Sequence, residues 1–382
     1  MVGGTRPRRG SMGFYPRKRA KSIIAKVRRW PKISEVKLLG FAAYKVGMAH
    51  MVMTEDYKYS PLYGKEVVKP VTILEAPPLV VIGVRLYAET PYGKIALKEI
   101  WCKEVLNPDF RKEIEEKIKE AAKKRREGKK EEAKKIIEEL GYKIVFLDIT
   151  RKVPLPKRIE KDFEKTYNKL LEEFKKYSEK ASEVRLIVST QPRRSGIRKK
   201  TPEIFEIPVG GDVSKALEYA LNKLGKEVSI EEVFKAGEFV DVISITKGKG
   251  TAGVVKRFHV KILPRWHKHR KGHRRIGSIG PTGPAVMFTT PRIGQLGYQQ
   301  RTEYNKRILM IGSDLNFINP SSGFKHYGVV RSTYLIVEGS VPGPPKRLVK
   351  LRYPIRPKKS INFYEGLKLT AIVLGDEVKE VR

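Results

Sequence analysis

From Val242 to Thr302 the chain runs for 61 residues without one carboxylate and carries 13 lysines or arginines. A stretch of that composition cannot close a core by itself, because it has little apolar periodicity and its like charges repel in any compact arrangement. Inside it lies "ILPRWHKHRKGHRRIGSIGP" (262–281), where Trp266, His267, His269 and His273 stand among lysines and arginines. Gly and Pro keep such a segment extended, so it orders against something that brings negative charge. A polyanion is the partner this run requires.

Two further runs repeat the pattern. Residues 1–32 hold 11 lysines or arginines and no acid, with Gly and Pro throughout, and read as a basic arm without its own core. Residues 339–364, also acid-free, contain "PGPPKRLVKLRYPIRPKK". Residues 99–183, in contrast, hold 20 of the 42 carboxylates and read as a solvated, charge-balanced segment. Against those 42 acids stand 80 lysines and arginines, a formal charge of +38.

A membrane surface is the competing anionic partner. The longest apolar run, "LVVIGV" (79–84), stops at Arg85 and is too short to span a bilayer. The N-terminus has no apolar core of the signal-peptide kind, and Pro7, Gly10, Gly13 and Pro16 break the amphipathic helix of a transit peptide. Cys102 is the only cysteine, which excludes an internal disulfide framework and suits a reducing cytosol. Asn and Gln number only 11 beside abundant Lys and Glu, a bias found in proteins that work hot.

Between the basic runs the sequence folds by ordinary rules. Strands are expected at 66–76, 79–90, 93–101, 182–190, 204–209, 238–246, 328–339 and 366–374, where β-branched residues are bounded by turn signals. Pro91, Tyr92 and Gly93 predict a hairpin turn between the second and third of these. Helical spacing links Ile114 with Ile118, then Ala133, Ile136, Ile137 and Leu140, then Phe163, Tyr167, Leu170, Leu171, Phe174 and Tyr177. A second helix is expected over 212–225, from Asp212 as N-cap to Gly225. Many short strands with little helix between them predict a mainly β chain with α/β elements, a barrel rather than a doubly wound sheet. The expected divisions are a basic extension (1–37), a β-barrel body begun at 38–101 and a largely helical insertion (102–182). An α/β part of the body (183–246), a basic central finger (247–293) and the last part of the barrel (294–382) follow.

The motifs that suggest chemistry fail in context. "GKGTAG" (248–253) fits the dinucleotide-binding glycine pattern, but β-like "VVKRFHVKILPR" follows it and the next acid is Glu303. A zinc reading of His267, His269 and His273 meets Arg270 where a metalloprotease needs Glu, and cationic neighbours repel a divalent metal. The same lack of acids leaves nothing to tune a general base. Carboxylate pairs such as Glu115–Glu116 and Glu172–Glu173 sit in the Lys/Glu-rich segment and read as a solvated helix face. No catalytic residue, metal, cofactor or small-molecule substrate is expected.

What remains is phosphate neutralisation. The arm offers Arg6, Arg8, Arg9, Arg17, Lys18 and Arg19 to RNA, and the start of the long run offers Lys247, Lys249, Lys256 and Arg257. Its centre adds Arg265, Trp266, His267, Lys268, His269, Arg270, Lys271, His273, Arg274 and Arg275, and its end Arg292 and Arg301. Lys346 and Arg347 contribute from the third run. Trp266, Phe288 and Tyr298 supply rings on which unpaired bases stack.

Several long blocks carry a resemblance in the right order. "PRRGSMGFYPRKRA" with "LLGFAAYKVGMAHMV" (38–52), "GQLGYQQRTEYNKRILMIG" (294–312) and "GFKHYGVVRSTYLIVEGSVPGPPKRLV" (323–349) resemble the third protein of the large ribosomal subunit in its archaeal and eukaryotic form. The resemblance spans nearly the whole chain apart from the helical insertion. It implies a translation-factor-like β-barrel body, a finger that runs through rRNA toward the peptidyl-transferase region, and an early role in subunit assembly. The partners it implies are large-subunit rRNA and neighbouring large-subunit proteins, in cytoplasmic ribosomes. At the finger tip the family carries tryptophan, whereas "IGPTGPAV" (279–286) has Thr282 there, so tip stacking does not carry over. On the residues alone, a free basic nucleic-acid binder or RNA chaperone remains open, as does an RNA-modifying enzyme with basic arms.

Overall fold

The computed structural model describes residues 8–150, 163–280, 282–357 and 368–381. Strand β1 (Gly40–Thr54) follows the cationic arm, and β2 (Glu66–Glu75), β3 (Leu79–Thr90) and β4 (Gly93–Trp101) come in quick succession. Thr90 pairs with Gly93, so the expected hairpin turns on Pro91 and Tyr92. Helices α1 (Lys103–Leu106), α2 (Pro108–Arg126), α3 (Lys130–Leu140), α4 (Ile144–Thr150) and α5 (Phe163–Ser178) occupy the carboxylate-rich segment, of which 151–162 lie outside the described residues. Then come β5 (Glu183–Ser189), β6 (Ile204–Pro208), α6 (Val213–Lys223), β7 (Glu227–Val228) and β8 (Phe239–Ile245). The C-terminal strands are β9 (Thr251–Ala252), β10 (Gly294–Gln295), β11 (Gln300–Gly312), β12 (Tyr334–Glu338), β13 (Leu348–Arg352), β14 (Leu369–Leu374) and β15 (Glu377–Glu380). Two short helices, α7 (Val254–Phe258) and α8 (Leu315–Ile318), lie among them.

Pairing closes a ring. The order β13–β8–β11–β12–β2–β1 is antiparallel throughout, and β13 pairs back onto β1, with Ala42 opposite Lys350. Closure removes the open edges on which sheets aggregate. The two long strands hold the ring together: β1 pairs β2 along one edge and, along the other, β13 with its first half and β14 with its second, while β11 pairs β8 and then β12. Register shifts at Lys45/Gly47 and Glu303/Lys306 bend β1 and β11. A second sheet, β4–β3–β5–β6 with β7 on β3, packs against the ring through one shared core. Phe41, Tyr44, Leu351 and Val242 from the ring meet Val81, Val84, Leu186 and Val188 there, with Ala216 and Ala220 of α6 behind them. Burying each of the larger side chains contributes roughly 1.5–3 kcal/mol.

Within the helical segment Asn107 caps α2, accepting from Asp109 N at 2.9 Å. Ile114, Leu140, Ile144 and Leu147 form a small core of their own, while Val145, Phe146 and Ile149 of α4 dock on Val80, Ile82 and Ile187 of the second sheet.

Besides the short β7, β9, β10 and β15, three longer strands run against the sequence expectation. The pattern predicts no strand at 40–54 or 300–312, because Gly, Ala, Met and charged residues dilute the β-branched signal there. The acid-free run 339–364 contains β13, whose Lys350 and Arg352 are buried. Arg352 donates to Asp241 at 2.7 Å and to the Arg29 carbonyl at 2.6 Å, so part of the cationic surplus is structural. In α6, Asp212 stands at the N-cap without a side-chain cap bond, and the helix ends before Gly225.

Lys350 forms no ion pair among the described residues, and its ammonium lies 4.1 Å from the centre of the Phe205 ring. Burial pushes its pKa down from 10.5 to about 7, and Glu206 pulls weakly the other way. Between those values the unfolded chain holds a proton that the folded chain has shed. Stability therefore rises with pH across the window, by roughly 1.4 kcal/mol per pH unit at most from this group. Lys350→Met is expected to flatten the rise, read from urea midpoints at about pH 7.5 and about pH 9.5.

Candidate nucleic-acid interface

The long acid-free run leaves the ring from β8 and returns to it as β11. Its base is closed by the β9–β10 ladder, with Gly294 opposite Ala252 and Gln295 opposite Thr251. Lys249 N donates to Leu296 O at 3.0 Å, and Leu296 N to Gly250 O at 2.9 Å. The two limbs approach so closely that a Cβ on Gly297, at φ +71°, would lie 2.1 Å from Lys247 O. Only glycine fits there.

Past the ladder the sequence predicts β-like structure over "VVKRFHVKILPR". Instead Val254–Phe258 forms the short helix α7, and its four-residue spacing buries Val254 and Phe258 together. The N-terminal arm provides the cover for Phe258. Tyr15 stacks on its ring at 6.3 Å and the Arg17 guanidinium lies 4.5 Å from it. Gly10 is pressed against the same ring, where a Cβ would lie 2.7 Å from it.

Hydrogen bonds tie arm to finger base. Arg8 Nη2 and the Tyr15 hydroxyl both donate to Thr289 O, at 2.6 and 3.0 Å. Arg257 donates to Arg292 O at 2.8 Å, Gln295 O at 3.1 Å and Arg17 O at 3.2 Å. Farther along the arm, Ala20 N donates to Tyr298 O at 2.8 Å, and Lys26 and Gln300 exchange two bonds. Ala25 is buried beside Ile243 and Ile245. The arm thus docks on the body over residues 20–27, which its composition does not reveal.

This junction crowds cations together. Burial, with the charge of Arg17 added to it, lowers the pKa of Arg257 and Arg301, and burial lowers that of Arg347 too. Rings take up some of the charge: Arg301 lies 4.3 Å from the Phe14 ring and Arg347 5.3 Å from Tyr298. Arg17 Nε and Arg347 Nη1 are buried with no acceptor among the described residues.

Beyond the base, Leu263 N donates to His273 O at 2.9 Å and pins the two limbs of the outer finger. Between them Trp266 packs edge-on to His267 at 4.8 Å and beside His269 at 5.9 Å, and Lys268 lies 5.4 Å from the Trp266 ring. Among the described residues the only regular structure there is a single turn, His267–His269, so His269 and His273 share no helical face. A groove of about 670 Å³ runs between Arg8 and Arg9 of the arm and Lys261, Ile262, Leu263 and Ile276 of the finger. Its lining joins the cations Arg8, Arg9 and Lys261 to apolar Val260, Ile262, Leu263 and Ile276, a combination that suits a base with its phosphate.

The expected RNA-binding residues fall into three groups. Arg8, Arg9, Lys18, Arg19, Lys247, Lys249, Lys256, Arg265, Trp266, His267, Lys268, Arg270, Lys271, Arg274, Arg275, Arg292 and Lys346 are exposed. Arg17, Arg257, His269, His273, Arg301 and Arg347 are half-buried at the junction or between the limbs, where Arg257 works as an internal clamp. Arg6 lies outside the described residues. Sequence reasoning missed Lys261 in the groove and the Tyr15–Phe258 clamp. The spacing of Phe14, Tyr15 and Arg17 is the signal that points to the clamp, an aromatic–cation alternation inside an otherwise structureless arm.

Comparison with known proteins gives one answer. The family model for ribosomal protein L3 matches residues 4–152 and 149–375, and so runs through the helical segment as well. The large ribosomal subunit protein uL3 of Pyrobaculum calidifontis is 51% identical over 360 residues, covering 93% of each chain. Those of Archaeoglobus fulgidus and Saccharolobus islandicus are 43% and 42% identical, each match covering 96% of both chains.

Proposed function

The chain belongs to the ribosomal protein L3 family, and from that premise we propose that its arm and finger are one composite surface for large-subunit rRNA. The protein is a structural, rRNA-binding component of the large subunit and not an enzyme. In this reading the closed six-stranded ring is a barrel of the translation-factor type, and residues 247–293 reach through rRNA toward the peptidyl-transferase region. The arm enters early in subunit assembly, when rRNA strands first gather, and neighbouring large-subunit proteins pack on the remaining body. The observation that carries the reading is the junction of Arg17, Arg257 and Arg301. Burial, and then the nearby charge of Arg17, lower the pKa of Arg257 and Arg301. Arg17 Nε is buried without an acceptor among the described residues, and no carboxylate in either segment answers these cations. Phosphate supplies that answer.

Arg274→Ala with Arg275→Ala tests the outer finger. Two lost phosphate contacts are expected to lower the salt slope of rRNA binding by about 1.4–1.8 and to slow subunit assembly. Lys165→Ala with Lys169→Ala on α5 removes the same charge and is expected to leave both unchanged. Equal effects of the two double variants would show that net charge acts and place does not.

A further inference from the structure

Away from arm and finger, one other cationic surface is organised by the fold. The loop at 191–202 meets the loop at 323–332 over Glu75, a fully buried carboxylate at the end of β2. Glu75 accepts from Gly196 N at 3.0 Å, Arg331 N at 2.6 Å, Ser332 N at 3.0 Å and the Tyr327 hydroxyl, so both loops hang on one anion. Gly196 packs so tightly that a Cβ there would lie 2.3 Å from Val329 O. On these loops Arg198 (φ 56°) and His326 (φ 65°) adopt the left-handed backbone that such side chains avoid. Strain of that kind persists where the surroundings over-determine it, and it gathers at working surfaces.

The loops present cations to a cleft of about 680 Å³, closed on its far side by Ile137, Ile144 and Val145 of α3 and α4. Five cations and two carboxylates, Glu138 and Asp148, line it, and the fold treats the cations in two ways. Arg193 is matched by Asp148 at 2.7 Å and Arg194 by Glu227 at 2.8 Å. Arg125 of α2, Lys200 and Arg331 are exposed, and their side chains form no ion pair among the described residues.

We propose that this cleft is a second phosphate-backbone site, which takes an rRNA strand separate from those on the arm and finger. It shares no residue with either of them. Two guanidinium forks and one ammonium match phosphate oxygens in number and kind. The wall of Ile137, Ile144 and Pro202 offers an apolar surface for a sugar or base beside them. An acidic protein segment would satisfy the charge but not use that wall.

The test uses the full chain carrying Arg125→Gln, Lys200→Gln and Arg331→Gln. These side chains are exposed and unpaired, so the urea midpoint is expected to stay within error of the parent. The salt slope of binding to large-subunit rRNA is expected to fall by about 2–2.7, and one footprint on the rRNA is expected to vanish. That footprint differs from the one lost with Arg274→Ala and Arg275→Ala, so each reading can fail alone. Lys165→Gln, Lys169→Gln and Lys175→Gln form the charge-matched control, expected to leave slope and footprint intact. Should the triple variant fold poorly, Lys200→Gln alone reads the same slope at about one third of the size. An unchanged slope, an equal loss in the control, or protection of the cleft by poly-glutamate but not by an oligonucleotide would overturn the proposal.

Discussion

A chain that lacks residues 1–19 is expected to bind large-subunit rRNA with a salt slope shallower by about 4–5 than that of the full chain. The cut removes six cations, Arg6, Arg8, Arg9, Arg17, Lys18 and Arg19, and each neutralised phosphate contributes about 0.7–0.9 to the slope. It stops before Ala20 for a structural reason. Ala25 is buried beside Ile243 and Ile245, and the Arg29 carbonyl accepts from the buried Arg352, so residues 20–32 belong to the body. The ring is therefore expected to stay folded, with its urea midpoint nearly unchanged. The finger base is a different matter. Without Tyr15 and Arg17 the Phe258 ring loses its cover, so trypsin is expected to cut sooner at Lys256 and Arg257. A slope changed by less than one phosphate would mean that the arm does not lie on RNA.

The largest effect on stability is expected at Glu75. Glu75→Leu leaves three backbone N–H groups and the hydroxyls of Tyr327 and Ser332 without their acceptor inside the fold. Unsatisfied buried donors cost about 1–3 kcal/mol each, and relaxation or entering water recovers part of that. A net loss of roughly 4 kcal/mol is a large share of the about 5–15 kcal/mol that a folded domain possesses. Thermal and urea unfolding of the free protein measure it. Glu75→Gln, which keeps one acceptor oxygen, is expected to lose about half as much. A loss under about 1 kcal/mol for Glu75→Leu would show that the two loops do not depend on this carboxylate.

Legibility in the sequence followed the strength of local patterning. The strands at 66–75, 79–90 and 93–101 and the helix at 163–178 stand where β-branched runs, turn residues and four-residue spacing put them. The strand at 40–54 escaped because Gly40, Ala42, Ala43, Gly47 and Ala49 carry little β signal, and only its neighbours make it a strand. β13 escaped for the opposite reason. Its Lys350 and Arg352 read as solvated charge, whereas Asp241, more than a hundred residues away in sequence, makes the burial of Arg352 possible. In the site, charge located the arm and finger at once. Charge could not separate Arg257, spent on three backbone carbonyls, from Arg274 and Arg275, which stand exposed. That division depends on which limbs the β9–β10 ladder brings together, a long-range pairing that no local pattern encodes.

The reach of the finger can be read chemically, because Cys102 is the only native cysteine. It is buried, and burial together with Glu104 pushes its thiol far above the usual range, so it stays unreactive. A single Lys271→Cys at the exposed outer finger accepts a tethered iron chelate that generates hydroxyl radicals within assembled large subunits. Strand cuts in the rRNA that surrounds the peptidyl-transferase region are the predicted result. Intact rRNA, or cuts confined to the subunit surface, would contradict a finger that runs inside it.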